Sequence, residues 1–124
     1  MESRTIRAEL RGVTVTECQL HYEGSCAIDE DLLDEAKIRA NERIDIENLS
    51  NGEYFSTYAI AGQRGSGIIS MNGAAARRVA LGDRINISVI EAIVPSEKRR
   101  ETTIVRVGPN NQKIEITTSE PSIG

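Results

Sequence analysis

Apolar residues in this chain recur at every second position, in short runs parted by turn signals, and that rhythm restricts the fold more than any other feature. Thr5 to Thr16 alternates, which predicts Ile6, Ala8 and Leu10 on one face and Arg7, Glu9 and Arg11 on the other. Glu42 to Leu49 alternates again, with Ile44 and Ile46 inward. Asn51-Gly52 is a hairpin turn signal, and Tyr54 to Ala61 is the return strand. Gly67 to Met71 and Arg84 to Ile93 read as further strands. Ile104–Val107 and Lys113–Thr117 read as a hairpin around Gly108-Pro109-Asn110-Asn111. One short helix is expected from an Asp29 N-cap to about Lys37, with Leu32, Leu33 and Ala36 on its apolar side. Another opens at Asn72-Gly73-Ala74-Ala75-Ala76. Residues 17–28 fit no regular period, Glu97 to Glu101 reads as a charged surface helix, and Ser119 to Gly124 as a loose tail. Many short strands with two small helices imply a closed, mainly β architecture, and closure also removes exposed edges.

Composition narrows the function classes. A chain of 124 residues is one domain with a small core. With 39% hydrophobic but only 3% aromatic residues, that core must be aliphatic. The net charge of −4 and the lack of a basic, aromatic-studded stripe argue against nucleic acid. Arg77-Arg78 and Lys98-Arg99-Arg100 are short clusters of the kind that face solvent. The first residues lead into no apolar segment of signal-peptide type, and no run is long enough to span a membrane, so a cytoplasmic protein is expected. Cys18 and Cys26 are too few for a disulfide scaffold and read as reduced thiols. A single histidine and no acid–histidine cluster leave metal binding without support.

The stretch that fits no period carries the chemistry. In His21-Tyr22-Glu23-Gly24-Ser25-Cys26-Ala27 a serine hydroxyl follows a glycine carbonyl. Alone, a Gly-Ser dipeptide is common in surface loops. Here it has company at fixed distances: Asn51-Gly52 with Phe55-Ser56-Thr57-Tyr58-Ala59-Ile60, then Arg64-Gly65-Ser66, Ile68-Ile69-Ser70, Asn72-Gly73-Ala74-Ala75-Ala76 and Gly82-Asp83. These ordered blocks, spanning roughly residues 4–93, resemble the pyruvoyl-dependent aspartate 1-decarboxylases.

The resemblance implies a double-psi β-barrel, a homotetramer with sites between protomers, and a zymogen that cleaves itself into chains 1–24 and 25–124, with or without a maturation factor. It implies that Ser25 becomes a covalent pyruvoyl group, whose ketone forms a Schiff base with an amino-acid substrate. The family's default reaction is L-aspartate to β-alanine and CO2, serving pantothenate supply. In self-cleavage, Ser25 Oγ attacks the Gly24 carbonyl, and glycine permits the backbone strain that attack demands. The resemblance gives Thr57 the role of helping this step and touching substrate. It makes Tyr58 the proton donor; a tyrosine is ordinarily protonated at neutral pH, and its alternative is a packed aromatic with a satisfied hydroxyl. The backbone N–H groups of Gly73, Ala74 and Ala75 are expected to hold a carboxylate or oxyanion, although a small-residue helix opening has the same sequence. Asn72 touches the pyruvoyl site, and Tyr22 and Ile60 wall the pocket.

Four departures bear on the substrate. The family usually carries lysine at Glu9, histidine at Arg11, tryptophan at Glu47 and arginine at Tyr54. The lysine and arginine are thought to grip the aspartate side chain. Placing a like charge near 4 Å costs about 4 kcal/mol at an effective dielectric of ~20. Arg11 or Arg7, on the predicted face of Glu9, are candidates to replace the lost cation. The alternatives are the same chemistry on an amino acid with a polar or cationic side chain, or a non-catalytic barrel with a binding or regulatory role.

Overall fold

The computed structural model of this protein describes residues 3–93 and 101–119. Among them are nine strands: β1 Ser3–Thr14, β2 Glu17–Gln19, β3 Ser25–Asp29, β4 Arg43–Asn48, β5 Tyr54–Gly62, β6 Ile69–Asn72, β7 Arg84–Ile93, β8 Thr102–Val107 and β9 Lys113–Ser119. They form one mixed sheet in the order β2-β6-β3-β5-β4-β7-β1-β8-β9. The sheet must curl on itself. β1 and β2 stand six places apart in that order, about 29 Å at a strand spacing of ~4.8 Å. Yet only Val15 and Thr16 join them, a reach of roughly 11 Å. The junction is tied down on both sides: Val15 N–H donates to Asp83 O at 2.9 Å and Thr16 N–H to Ile69 O at 2.8 Å. The mainly β, barrel-like fold expected from the alternation is therefore present.

The core is aliphatic, as the composition requires. Leu10, Ile28, Ile44, Ile46, Ile69, Ile85 and Ile87 are fully buried and belong to one cluster. Asp29 caps helix α1 (Glu30–Ala36), accepting from Asp31 N–H at 2.8 Å, and α1 buries Leu32, Leu33 and Ala36 against the barrel. The second helical segment is a 3-10 helix, Gly73–Arg78. The hairpins β4–β5 and β8–β9 form where the turn residues indicate.

Three expectations change. The stretch 17–28 contains two strands, β2 and β3. Every residue of β3 is buried, so it lacks the polar alternation that marks a half-exposed strand. The first strand carries a bulge between Ile6 and Ala8, so Ile6 is exposed while Ala8 and Leu10 face the core. Ser119 belongs to β9 rather than to a tail. The rest of the expected tail, and all of the expected helix at 97–101 except Glu101, lie outside the described residues. Among the described residues no helix is long and apolar enough to cross a membrane.

Candidate active site

The ladders on either side of β3 fix which way Ser25 and its neighbours point. Cys26 and Ala59, partners in the parallel β3–β5 ladder, both lie in the core. Ser25 therefore points to the outer side of the barrel, and so does Tyr58, which faces it when that ladder is extended by one residue. On the other flank, β6 pairs antiparallel with β3, setting Asn72 opposite Ser25 and Ser70 opposite Ala27. Met71 and Ile69 face inward, which turns Ser70 and Asn72 to the side of Ser25.

These side chains form a continuous hydrogen-bonded relay from Ser70 to the Glu23 carbonyl. Asn72 Nδ2 donates to Ser25 Oγ at 3.1 Å. Ser25 Oγ donates to the Glu23 carbonyl at 3.2 Å. Ser70 Oγ donates to Asn72 Oδ1 at 2.9 Å. Exposure is 5% for Ser25, 3% for Asn72 and 2% for Ser70, so no bulk water competes for these bonds. Asn72 also occupies the N-cap of the 3-10 helix, but its side chain makes no cap bond there. The amide is committed to Ser25 and Ser70 instead.

Of the two glycines that meet beside the 24–25 bond, Gly73 is the one the geometry requires. Gly73 has φ of +73°, and a Cβ there would fall 2.8 Å from Gly24 Cα and 2.9 Å from Gly24 N. Gly24 itself has open space around the position its Cβ would take. The backbone of residues 72–74 thus presses on the 22–24 segment from one side only.

Other expected site residues sit at various depths. Tyr58 is 56% exposed, so it is not a packed core aromatic. Tyr22 is exposed on the segment just before Gly24, and Ile60 is half-buried opposite Ala27. Ala74 is exposed, and Ala75 packs against the core cluster. Thr57 is buried on the inward face, paired with Ile44; extending the β3–β5 ladder places it beside Gly24, but no hydrogen bond joins its hydroxyl to Ser25. Cys26, next in the chain to Ser25, points into the core, where burial pushes its thiol up to about 12. It stays protonated and inert at neutral pH.

The four departures form a second group on the outer face. Glu9 is buried; its Oε1 accepts from Arg11 Nε at 2.7 Å and its Oε2 from Ser88 Oγ at 2.9 Å. Glu47 lies one strand beyond and accepts from Asn86 Nδ2 at 3.0 Å. Tyr54 pairs with Glu47 across the β4–β5 ladder. Tyr54 helps line a cavity of about 270 Å³ with Arg4, Arg43, Asp45 and Ile90. Its hydroxyl is raised above the ordinary tyrosine range by desolvation and by the charges of Asp45 and Glu47, with Arg43 opposing. Arg7 is not part of this group. The bulge turns it toward Glu42, at 2.7 Å, and Glu91, at 3.2 Å.

A larger cleft, about 400 Å³, is lined by acidic residues of α1 together with Gly65 and Asn111. It contains none of the chemistry around Ser25. Its carboxylates Asp31 and Asp34 are held by Arg64, each at 2.7 Å.

Sequence reasoning missed Ser70 and Ser88. Each is the polar residue of an alternating strand, two residues from a site residue or directly across from one. Ser70 also stands in the Ile68-Ile69-Ser70 block that carries the resemblance; Ser88 leaves no further signal.

The fold and the relay define a small β-barrel with a buried serine hydroxyl on its outer face. A sequence model of the family described as aspartate decarboxylase matches residues 1–114. The aspartate 1-decarboxylase of Paraburkholderia phytofirmans (strain DSM 17436 / LMG 22146 / PsJN) is 52% identical over 114 residues, covering 90% of this chain and 89% of that protein. The aspartate 1-decarboxylase of Burkholderia pseudomallei (strain 668) is 57% identical over 97 residues, covering 78% of this chain and 76% of the other. The chain belongs to the aspartate decarboxylase family.

Proposed function

We propose that this protein cleaves itself between Gly24 and Ser25 into chains 1–24 and 25–124, and that the product is a pyruvoyl-dependent decarboxylase converting L-aspartate to β-alanine and CO2. The observation that carries the reading is the buried Ser25 hydroxyl, held at 3.1 Å by Asn72 and directly following Gly24 in the chain. The surroundings suit a pyruvoyl group. The Asn72 amide offers a donor, Gly73 leaves room that a Cβ would fill, and Tyr58 lies alongside. Such a group supplies a ketone to condense with the substrate amine and a carbonyl to take up electron density as CO2 departs.

The chain's own residues do the rest. Tyr58, exposed and next to Ser25 in register, delivers the proton to the α-carbon. Tyr22 and Ile60 flank the pocket. The N–H groups of Gly73, Ala74 and Ala75 face the substrate's oxygens, and Thr57 assists at the Gly24 side of the cleaved bond.

Aspartate is favoured because Glu9 does not act as a free anion. Its carboxylate is spent on Arg11 and Ser88, and Arg11 keeps its Nη groups available for a carboxylate, in the manner that suits guanidinium. The names of the relatives point the same way. Glu9 stands four strands from Ser25, about 19 Å along the sheet at ~4.8 Å per strand. A homotetramer with sites shared between protomers would bring the Glu9–Arg11 group of one chain to the Ser25 of its neighbour.

The test is the intact mass of the denatured protein together with β-alanine production from aspartate. Two fragments are expected, the larger lighter than a serine-started chain by one ammonia, with β-alanine formed. An uncleaved chain, or cleaved protein inert toward aspartate, overturns the reading.

A further inference from the structure

We infer that Ser70 is a positioning residue for self-cleavage, fixing the orientation of the Asn72 amide so that an N–H stays on Ser25 Oγ when that oxygen becomes the leaving atom. The inference rests on the proposed cleavage at Gly24–Ser25.

An asparagine carboxamide has nearly the same shape when its oxygen and nitrogen are exchanged, so its partners decide which end faces where. In this site the pairing is complete in one orientation. Ser25 O–H is used on the Glu23 carbonyl, so Ser25 Oγ needs a donor, which is Asn72 Nδ2. Asn72 Oδ1 needs a donor in turn, and Ser70 O–H supplies it. All three side chains are buried, so an unmade bond is not recovered from water. Without the Ser70 hydroxyl, Asn72 Oδ1 loses its donor and the amide is no longer held in one orientation. Its N–H is then not kept on Ser25 Oγ, either before or after the ester forms.

The chemistry shows where that loss is felt. In the first step Ser25 Oγ bonds to the Gly24 carbonyl carbon, the C–N bond to Ser25 breaks, and the hydroxyl proton ends on the new amine. The product is an ester. In the second step the Cα proton of residue 25 passes to a solvent base and the Cβ–Oγ bond breaks. Oγ departs with the Gly24 acyl group as a carboxylate, leaving dehydroalanine, which exchanges its nitrogen for water oxygen and releases ammonia. In the first step Oγ is a nucleophile, and a donor on it holds it in place without assisting attack. In the second step negative charge arrives on Oγ, where a preset N–H lowers the barrier most. Ser70 thus acts mainly on elimination.

The experiment follows intact mass over time for the wild-type chain, Ser70→Ala, and the pair Ser70→Thr and Ser70→Val, with and without hydroxylamine added after denaturation. Hydroxylamine cuts the ester and spares the amide. Thr and Val match in shape and differ by the hydroxyl, so any cost of added bulk is common to both. Wild type should end as two chains. Ser70→Ala and Ser70→Val should accumulate a full-length species that hydroxylamine splits, with elimination slowed roughly tenfold or more. Ser70→Thr should mature close to the wild-type rate. A purely packing role would not build up ester. Maturation of Ser70→Ala or Ser70→Val at the wild-type rate overturns the inference, as does a folded variant that stays full length and resists hydroxylamine. If the wild-type chain itself stays uncleaved and resistant, the cleavage reading is what fails.

Discussion

Gly73 sits directly against Gly24: a Cβ on the former would lie 2.8 Å from the Cα of the latter and 3.0 Å from the carbonyl oxygen of Tyr22. The obstacles are backbone atoms, which cannot swing aside as a side-chain tip can. Gly73 also has φ of +73°, a left-handed conformation that costs other residues about 1–3 kcal/mol. Gly73→Ala should therefore push the 22–24 segment away from β6 and slow self-cleavage at least tenfold, with a lowered melting temperature. A mass time course and a thermal melt read both effects.

Ser25→Ala removes the attacking oxygen while leaving Asn72 and Ser70 bonded to each other. The variant should remain one chain indefinitely. Tyr58→Phe should cleave normally, because the Tyr58 ring and backbone are kept, yet lose about 10²–10⁴-fold in decarboxylation. Gel bands separate the two outcomes, and a turnover assay on cleaved protein measures the second.

The Glu9–Arg11 pair changes what a reversal toward the usual family residues should do. Arg11→Gln should raise the KM for aspartate by about tenfold or more with little change in self-cleavage, since a charged hydrogen-bond partner is worth ~1.5–3 kcal/mol. Glu9→Lys alone sets a second cation where Arg11 Nε now approaches to 2.7 Å. It should destabilise the strand pair and fail to improve aspartate turnover. Combining Glu9→Lys with Arg11→His and Tyr54→Arg should restore it. Steady-state kinetics across the series distinguish these outcomes.

Asn111 ties three segments together. Its Nδ2 donates to Thr14 O at 2.9 Å and Gly67 O at 2.7 Å, and its Oδ1 accepts from Thr14 N–H at 2.7 Å. Asn111→Ala leaves these backbone groups unpaired in a buried position and should cost about 2–5 kcal/mol. Denaturant titration of the uncleaved Ser25→Ala background gives the difference without the complication of cleavage.

Asp83 adds a pH dependence. The Asn48 amide, at 2.9 Å, and then the Ala80 N–H, at 2.9 Å, hold its carboxyl below the usual range, against a small opposing effect of burial. A depressed folded-state pKa means stability that is present above the ordinary value near ~3.9 and is lost as pH falls through the lower folded value. Asp83→Asn should lower the melting temperature at neutral pH and matter progressively less in acid. Melts across that range check the sign.

Much of the fold was legible locally. Alternation located β4, β5 and β7, the Asp29 cap located α1, and Asn51-Gly52 located a hairpin, because each depends on neighbours in the chain. β3 was not legible, since a strand buried on both faces has no polar phase to read. The bulge at Arg7 was hidden for a similar reason: one extra residue reverses the faces of everything before it and leaves the composition unchanged.

The site divided along the same line. The residues at 24, 25, 57, 58 and 72 stand in the sequence itself, within the blocks that carry the resemblance to the family. Their mutual geometry does not. Ser70 became part of the site only when β6 paired with β3, and Ser88 joined Arg11 on the Glu9 carboxylate only when β7 paired with β1. Hydrogen bonds between residues 47 or 79 positions apart are decided by strand register, and register is a property of the folded barrel rather than of any stretch of chain.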